Sequence, residues 1–128
     1  MVVLDTSVWI EFLKANSPYF EEVSDLLERN EVMGVSPVFG ELLQGARDAR
    51  ERSMLNEFWS ALPKATESDL FIRAGEESGK KRLFDRGIGL IDCAILCAAR
   101  ESTCSLWTLD KKLLGALSKE ERYTPRQS

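Results

Sequence analysis

The chain opens with Met1-Val2-Val3-Leu4-Asp5-Thr6-Ser7-Val8-Trp9-Ile10, and this stretch decides the fold. Residues 2–4 form a short apolar run rich in β-branched side chains, which predicts a buried parallel strand. The run ends in a carboxylate, Asp5, and the hydroxyls of Thr6 and Ser7 can cap a helix that follows. Functional residues of open α/β sheets gather where strands end and helices begin. An aspartate at that position has no basic residue near it in the sequence. A cation or a proton is therefore required to neutralise its charge.

The size and composition are those of an ordinary globular domain. The chain has 128 residues, of which 44% are hydrophobic and 30% are charged. We therefore expect a single domain spanning residues 1–128 with a core of its own. The net charge of −4 argues against nucleic-acid binding by bulk electrostatics alone. It leaves open an enzyme that handles phosphates through metal ions held by carboxylates.

Histidine is absent from the sequence. This absence excludes Ser-His-Asp and Cys-His nucleophilic sites, histidine-based zinc sites and nucleases that use histidine as an acid or base. Catalysis would have to rest on carboxylates, hydroxyls, amines or thiols. The three cysteines, Cys93, Cys97 and Cys104, fit no zinc-binding spacing. Cys93 and Cys97 lie among alanines and aliphatic residues, so we expect small buried side chains in a reducing compartment.

The sequence indicates neither a membrane span nor a secretory leader. The longest apolar stretch, Ile88–Ala99, is too short to cross a bilayer and contains Asp92. The N-terminus lacks a basic segment and carries Asp5 within its apolar run, so we expect no secretory signal. These features predict a cytoplasmic protein that does not contact membranes.

Apolar periodicity predicts a small parallel sheet flanked by helices. The predicted strands are residues 2–4, 32–35 and 105–109, and the predicted helices cover about 6–14, 18–30, 36–44, 54–62, 69–83, 91–100 and 111–117. Strands separated by helical segments imply βαβ units, so the fold class is α/β with a mostly parallel sheet. The excess of helices suggests a helical excursion between Gly45 and Arg86. Residues 118–128 form a polar tail without periodicity.

Four carboxylates stand at positions whose neighbours predict burial. Asp5 and Asp110 each follow directly on an apolar strand. Glu41 lies in the third predicted helix, and Asp92 stands in the first turn of an otherwise apolar helix. Burying one unpaired carboxylate is costly, and burying four together requires compensation. A hard divalent cation with oxygen ligands provides that compensation.

Each carboxylate taken alone also has a structural interpretation. Asp5 and Asp110 could cap the helices that follow them. Asp92 could be an acid favoured by the dipole at a helix N-terminus. Glu41 could be an ordinary solvated side chain. The coincidence of all four favours a shared metal site over four separate structural roles.

Three other patterns carry weaker signals. The segment Gly75–Lys81 is similar to a phosphate-binding loop, but its glycine spacing is one residue short and no strand precedes it. Residues 5–8 are similar to the nucleophile motif of haloacid-dehalogenase-type phosphatases, but Ser7 replaces their second aspartate. The basic groups around 47–52 and 80–82 are typical of solvated helix faces; alternatively, some of them follow a phosphate backbone.

Four segments together resemble PIN-domain ribonucleases, especially the toxins of VapBC toxin–antitoxin systems. The segments are Leu4-Asp5-Thr6-Ser7-Val8-Trp9-Ile10, Ser36 with Glu41-Leu42-Leu43-Gln44-Gly45, Leu90-Ile91-Asp92-Cys93-Ala94-Ile95-Leu96-Cys97-Ala98-Ala99, and Trp107-Thr108-Leu109-Asp110. They span nearly the whole chain in the expected order. The resemblance implies a PIN-like three-layer α/β/α fold, in which helices flank a small parallel β-sheet.

The resemblance also implies an activity, a site and partners. The activity is that of a Mg²⁺- or Mn²⁺-dependent endoribonuclease acting as a toxin, which hydrolyses RNA phosphodiesters with metal-activated water. The implied metal ligands and catalytic residues are Asp5, Glu41, Asp92 and Asp110. Ser7 and Thr108 would hydrogen-bond a water on the metal, or cap a helix. The implied partners are an RNA substrate, a small antitoxin protein and a second copy of the chain in a homodimer.

A catalytically silent binding module of the same fold is the alternative. Its acidic pocket would hold a structural cation or an arginine from a partner protein. Metal-dependent cleavage of RNA distinguishes the two functions.

Overall fold

The computed structural model describes residues 1–126, and the predicted α/β fold class is confirmed there. In chain order the elements are β1 (Val2–Leu4), α1 (Thr6–Leu13), α2 (Tyr19–Glu28), α3 (Ser36–Gln44), α4 (Ala49–Ala61), α5 (Leu70–Lys81), a 3-10 turn (Phe84–Arg86), α6 (Leu90–Glu101), β2 (Ser105–Trp107) and α7 (Lys111–Ala116). Helix α4 begins five residues before its predicted start, because Asp48 caps it by accepting a hydrogen bond from the Glu51 N–H at 2.8 Å. None of the helices between residues 1 and 126 has the length and apolar character needed to cross a bilayer.

Strands β1 and β2 pair in parallel and form the centre of the sheet. Their register places Val3 opposite Leu106 and Leu4 opposite Trp107. On the other side of β1, the Val2 N–H donates to the Glu31 carbonyl at 2.8 Å. The sheet therefore joins the first residues of the chain to residues more than a hundred positions later.

The predicted strand at residues 32–35 is wrong as a continuous strand. Val32 forms a parallel bridge with Val2, whereas Gly34 forms one with Lys64. The segment thus changes its pairing partner after two residues, and neither pairing extends over enough residues to form a β-ladder. It still extends the parallel sheet beyond β1, so the predicted direction is confirmed.

The core is organised around Trp9, which is 1% exposed. Its ring meets Phe12, Phe39 and Phe58 edge-on, with centroid distances of 5.8, 5.1 and 5.5 Å. Edge-to-face contacts of this kind add to the hydrophobic burial of the rings. They fix α3 and α4 against α1, the helix that starts directly after Asp5.

The cysteines behave largely as small hydrophobic residues. Cys93 and Cys104 are buried and Cys97 is half-buried. All three are free thiols. Burial raises the pKa of the Cys97 and Cys104 thiols, so both stay protonated and weakly reactive.

The polar tail packs on the sheet and, through Arg126, on α2. Its last two residues, 127 and 128, lie outside the described range. The Leu106 N–H donates to the Glu121 carbonyl at 2.8 Å, and the Tyr123 N–H donates to the Leu106 carbonyl at 3.0 Å. The Tyr123 ring also packs on Trp107, with centroids 5.1 Å apart. Residues 121–123 therefore cover the outer edge of β2.

The ion pair between Arg100 and Glu121 fastens this tail to α6. The Arg100 guanidinium donates to both oxygens of Glu121, at 2.7 and 3.1 Å. These bonds lower the pKa of Glu121 from 4.5 to about 2. A carboxylate with a depressed pKa stabilises the fold above its unfolded pKa, and that contribution is lost as the pH falls through its folded pKa.

We expect Glu121→Gln to lower the free energy of unfolding by about 1–2 kcal/mol at neutral pH. The difference from the wild type should shrink as the pH falls from 4.5 toward 2, because Glu121 itself becomes neutral there. Urea denaturation at several pH values measures it, with Glu120→Gln as the control at the adjacent exposed position. A difference that does not change with pH would contradict the role of the ion pair.

Candidate active site

Asp5 is fixed where the two central strands diverge. Its backbone N–H donates to the Trp107 carbonyl at 2.9 Å, and the residue is 5% exposed. Its Oδ1 accepts a hydrogen bond from the Thr6 N–H at 2.8 Å, which makes Asp5 the N-cap of α1. The expected capping by Thr6 or Ser7 is therefore wrong, since both residues lie inside the first helical turn.

The second carboxylate oxygen of Asp5 is held by side-chain hydroxyls. Thr108 Oγ1 donates to Asp5 Oδ2 at 2.6 Å, and Ser7 Oγ donates to the same atom at 3.3 Å. Both hydroxyl oxygens also accept backbone N–H groups, from Asp110 at 3.0 Å and from Leu109 at 3.1 Å. Sequence reasoning assigned Ser7 and Thr108 to a metal-bound water or a helix cap; in the structure they orient Asp5.

Thr6 is a residue of the site that sequence reasoning did not assign. Its hydroxyl donates to Glu41 Oε1 at 2.6 Å, across 35 positions of the chain. This bond ties the first turn of α1 to α3 and fixes one oxygen of a half-buried carboxylate. No sequence pattern links the two residues, because their contact depends on how α1 and α3 pack.

Asp110 caps α7, as one of its two interpretations predicted. Its Oδ1 accepts hydrogen bonds from the Lys112 N–H at 2.8 Å and the Leu113 N–H at 3.2 Å. The residue is exposed. Its own N–H donates to Thr108, which in turn donates to Asp5, so the cap is connected to Asp5 through one side chain.

Asp92 is the carboxylate whose pKa is raised by burial and by the other three carboxylates. It stands in the first turn of α6, half-buried. Burial, followed by repulsion from Asp5, Asp110 and Glu41, raises its pKa from 3.8 to about 6. The fold therefore brings all four predicted carboxylates into one electrostatic neighbourhood, next to the C-terminal ends of β1 and β2.

The donor chemistry of this neighbourhood fits a hard divalent cation. Carboxylate oxygens are the ligands that Mg²⁺ and Mn²⁺ prefer, and a cation would relieve the repulsion at Asp92. Within residues 1–126, however, no three acidic or cysteine side chains converge closely enough to form a ready-made metal site. The carboxylates are nevertheless near enough for Asp5, Asp110 and Glu41 to repel Asp92.

Comparison with known proteins gives a consistent family. Residues 2–117 match the PIN domain. Ribonuclease VapC32 from Mycobacterium tuberculosis is 33% identical over 121 residues, which cover 91% of this chain and 90% of that protein.

Solved structures share the fold. A crystal structure of VapBC2 from Rickettsia felis, bound to a DNA fragment from their promoter, superposes with a TM-score of 0.71 at 22% identity, covering 95% of this chain and 96% of that one. The structure of VapC20 from Mycobacterium tuberculosis gives a TM-score of 0.70 at 20% identity, covering 96% and 100%. The small parallel sheet and its flanking helices are thus the predicted three-layer α/β/α arrangement. By sequence and by fold, the chain belongs to the PIN domain family, in its VapC branch.

Proposed function

We propose that this chain is a Mg²⁺- or Mn²⁺-dependent endoribonuclease and the toxin of a toxin–antitoxin pair. The observation that carries the proposal is that Asp92 lies within the electrostatic reach of Asp5, Asp110 and Glu41: its burial, followed by repulsion from these carboxylates, raises its pKa to about 6. The relative VapC32 is a ribonuclease, and VapC20 is a toxin that cleaves the sarcin–ricin loop. Both relatives support RNA as the substrate.

Asp5 and Asp92 would hold the ion, with Glu41 and Asp110 completing the site directly or through water. A bound Mg²⁺ or Mn²⁺ supplies a nucleophile at neutral pH and stabilises charge on the phosphoryl oxygens.

The protein's own part is to orient these carboxylates. The Thr6 N–H and the Thr108 hydroxyl fix the two oxygens of Asp5, and the Thr6 hydroxyl fixes Glu41 Oε1. The remaining oxygen of Glu41 would accept a hydrogen bond from the attacking water and so orient it. Such preorganisation lowers the reorganisation needed during the reaction.

The acidic site also suits a cationic partner. A bidentate arginine–carboxylate pair is the strongest neutralising contact that a protein partner can supply. A toxin–antitoxin complex from Klebsiella pneumoniae has the same fold, with a TM-score of 0.72 at 18% identity, covering 100% of each chain. We therefore propose that a small antitoxin inserts an arginine into this site, and that the toxin itself is a homodimer.

The catalytic proposal is tested by Asp5→Asn. We expect RNA cleavage in Mg²⁺ or Mn²⁺ to fall at least about 100-fold, since the substitution removes a ligand charge with little change in shape. EDTA should abolish cleavage by the wild type. The matched control is Asp48→Asn, which alters the N-cap of α4 in the same way but lies outside the acidic group.

Cleavage that persists in EDTA, or in Asp5→Asn, would contradict a metal-dependent site at Asp5. Metal binding without any RNA cleavage by the wild type would instead support the silent binding module. Gel electrophoresis of a labelled single-stranded RNA, together with calorimetric titration of Mn²⁺, separates these results.

Asp92→Asn should stabilise the metal-free protein. A carboxylate with a raised pKa destabilises the fold when it is ionised, so at a pH well above 6 the wild type carries a cost of about 1 kcal/mol or somewhat more. The cost should vanish below the ordinary pKa of 3.8, where the group is neutral in both states. In saturating Mn²⁺ the order should reverse, because an ion that binds the folded wild type stabilises it.

Thermal melts of the two proteins in EDTA and in Mn²⁺ measure this reversal. If Asp92→Asn melts lower than the wild type in EDTA, Asp92 is a stabilising acid at the N-terminus of α6. The metal assignment would then have to rest on the other three carboxylates.

The antitoxin is expected to be a small protein encoded beside this chain. Its co-expression should relieve the growth arrest that the toxin causes, and replacing its inserted arginine by alanine should weaken the complex. Mn²⁺ should compete with that arginine, so the affinity measured by calorimetry should be lower in Mn²⁺ than in EDTA. A neighbouring protein that neither binds nor relieves arrest would refute the toxin–antitoxin assignment.

A further inference from the structure

The Phe84 side chain is exposed to solvent and does not pack in the core. Its ring is 78% exposed, the highest value among the large hydrophobic side chains of residues 1–126. It occupies the 3-10 turn between α5 and α6, flanked by Leu83 and Ile88, which are 3% and 2% exposed. The turn is therefore anchored on both sides while the aromatic ring points outward.

Hydrogen bonds keep this turn in place. The Ile88 N–H donates to the Leu83 carbonyl at 3.1 Å, and the Gly87 N–H donates to the Phe84 carbonyl at 2.9 Å. The Arg86 guanidinium donates to the Gly115 carbonyl of α7 at 2.9 Å. Gly87 has a φ of +79°, a conformation that glycine adopts without strain. Phe84 is thus presented from a fixed position.

The surroundings of Phe84 are cationic, although the chain as a whole has a net charge of −4. Residues 80–87 include four basic side chains and one acidic side chain. The pair between Arg82 and Asp85 joins side chains that are 81% and 63% exposed, so it neutralises Arg82 weakly. Lys80 and Lys112 make no ion pair within the described part of the chain.

Lys112 connects this surface to the acidic site. A methyl group built on Gly87 would lie 3.1 Å from Lys112 Nζ, so the ammonium group lies against the turn. The backbone N–H of the same residue donates to Asp110 Oδ1 at 2.8 Å. A groove of about 460 Å³ is also lined by both Phe84 and Leu90, and Leu90 lies two residues before Asp92.

We propose that Phe84, with Lys80, Arg82 and Lys112, is a platform for single-stranded RNA that extends the binding site beyond the scissile phosphate. One unpaired base stacks on the Phe84 ring, and the neighbouring phosphates lie near Arg82 and Lys112. The inference rests on the proposed function for its substrate class.

The combination of side chains selects RNA over a protein partner. Single-stranded nucleic acid offers both an exposed π-face for an aromatic side chain and regularly spaced phosphates for cations. The centre of a protein–protein interface is depleted in lysine, whereas this surface includes Lys80 and Lys112. The contacts of Lys112 with the Phe84 turn and with Asp110 further match a strand whose phosphate enters the acidic site.

The test measures binding of a labelled oligoadenylate to the full chain in EDTA, where no metal-dependent cleavage occurs. Phe84→Ala should raise Kd about 5- to 150-fold, the range for loss of one base–aromatic stack. Phe84→Trp should retain wild-type affinity. Ile72→Ala is the matched control, because Ile72 is 72% exposed on the neighbouring α5.

Two further measurements separate stacking from charge. An oligoadenylate with abasic positions should bind wild type and Phe84→Ala equally, because no base remains to stack. Lys112→Gln should reduce the slope of log K against log salt by about 0.7, whereas Phe84→Ala should leave it unchanged. A Phe84→Ala defect that persists with abasic RNA would overturn the stacking assignment.

The outcomes also separate this inference from the proposed function. If the wild type cleaves RNA and Phe84→Ala changes neither Kd nor KM, the platform is wrong while the ribonuclease assignment stands. If the same variant instead loses homodimer or antitoxin binding, the surface is a protein interface and the inference is overturned. If the wild type never cleaves RNA but Phe84→Ala still weakens binding, the platform stands and the catalytic proposal fails.

Discussion

The hydrogen bond from Thr108 to Asp5 is the contact on which the site depends. It joins residues 103 positions apart, at 2.6 Å and almost entirely out of contact with water. A charge-assisted bond in such surroundings is strong, and its geometry is set by the parallel pairing of β1 with β2. The same Thr108 accepts the N–H of Asp110, so one hydroxyl sets the relation between two carboxylates. Burying the Asp5 carboxyl group without these donors would be costly.

In the rest of the acidic group, hydrogen bonds hold carboxylates in place although the carboxylates repel one another. Asp5 and Asp110 are fixed by capping the helices that follow them, and Glu41 is fixed by Thr6. Within residues 1–126 Asp92 receives no comparable hydrogen bond, and burial, followed by repulsion from the other three carboxylates, raises its pKa to about 6. The structural and functional interpretations of these residues are therefore compatible. Capping uses one oxygen of Asp110, so its role as a helix cap does not exclude the proposed role as a metal ligand.

Charge is distributed unevenly over the surface. The acidic group and the basic surface around Phe84 adjoin through Lys112, although the net charge is −4. An acidic pocket alone would repel a polyanion, and a divalent cation removes that repulsion only locally. Basic side chains beside the pocket can hold the remainder of a nucleic-acid strand. Net charge alone therefore does not describe the local surface that a polyanion would meet.

The sequence by itself determined the α/β class and the positions of β1 and β2, because apolar runs and helix boundaries are local signals. The same signals identified the four carboxylates as candidate site residues. Because histidine is absent, the sequence also limited any catalytic chemistry to carboxylates, hydroxyls, amines or thiols. Only the tertiary structure decided that Thr6 meets Glu41 and that Thr108 and Ser7 orient Asp5. It likewise decided that residues 121–123 close the sheet edge and that residues 32–35 divide their bonds between two partners. Such contacts join distant parts of the chain, and which hydroxyl or carbonyl lies within reach is fixed only when helices and strands pack.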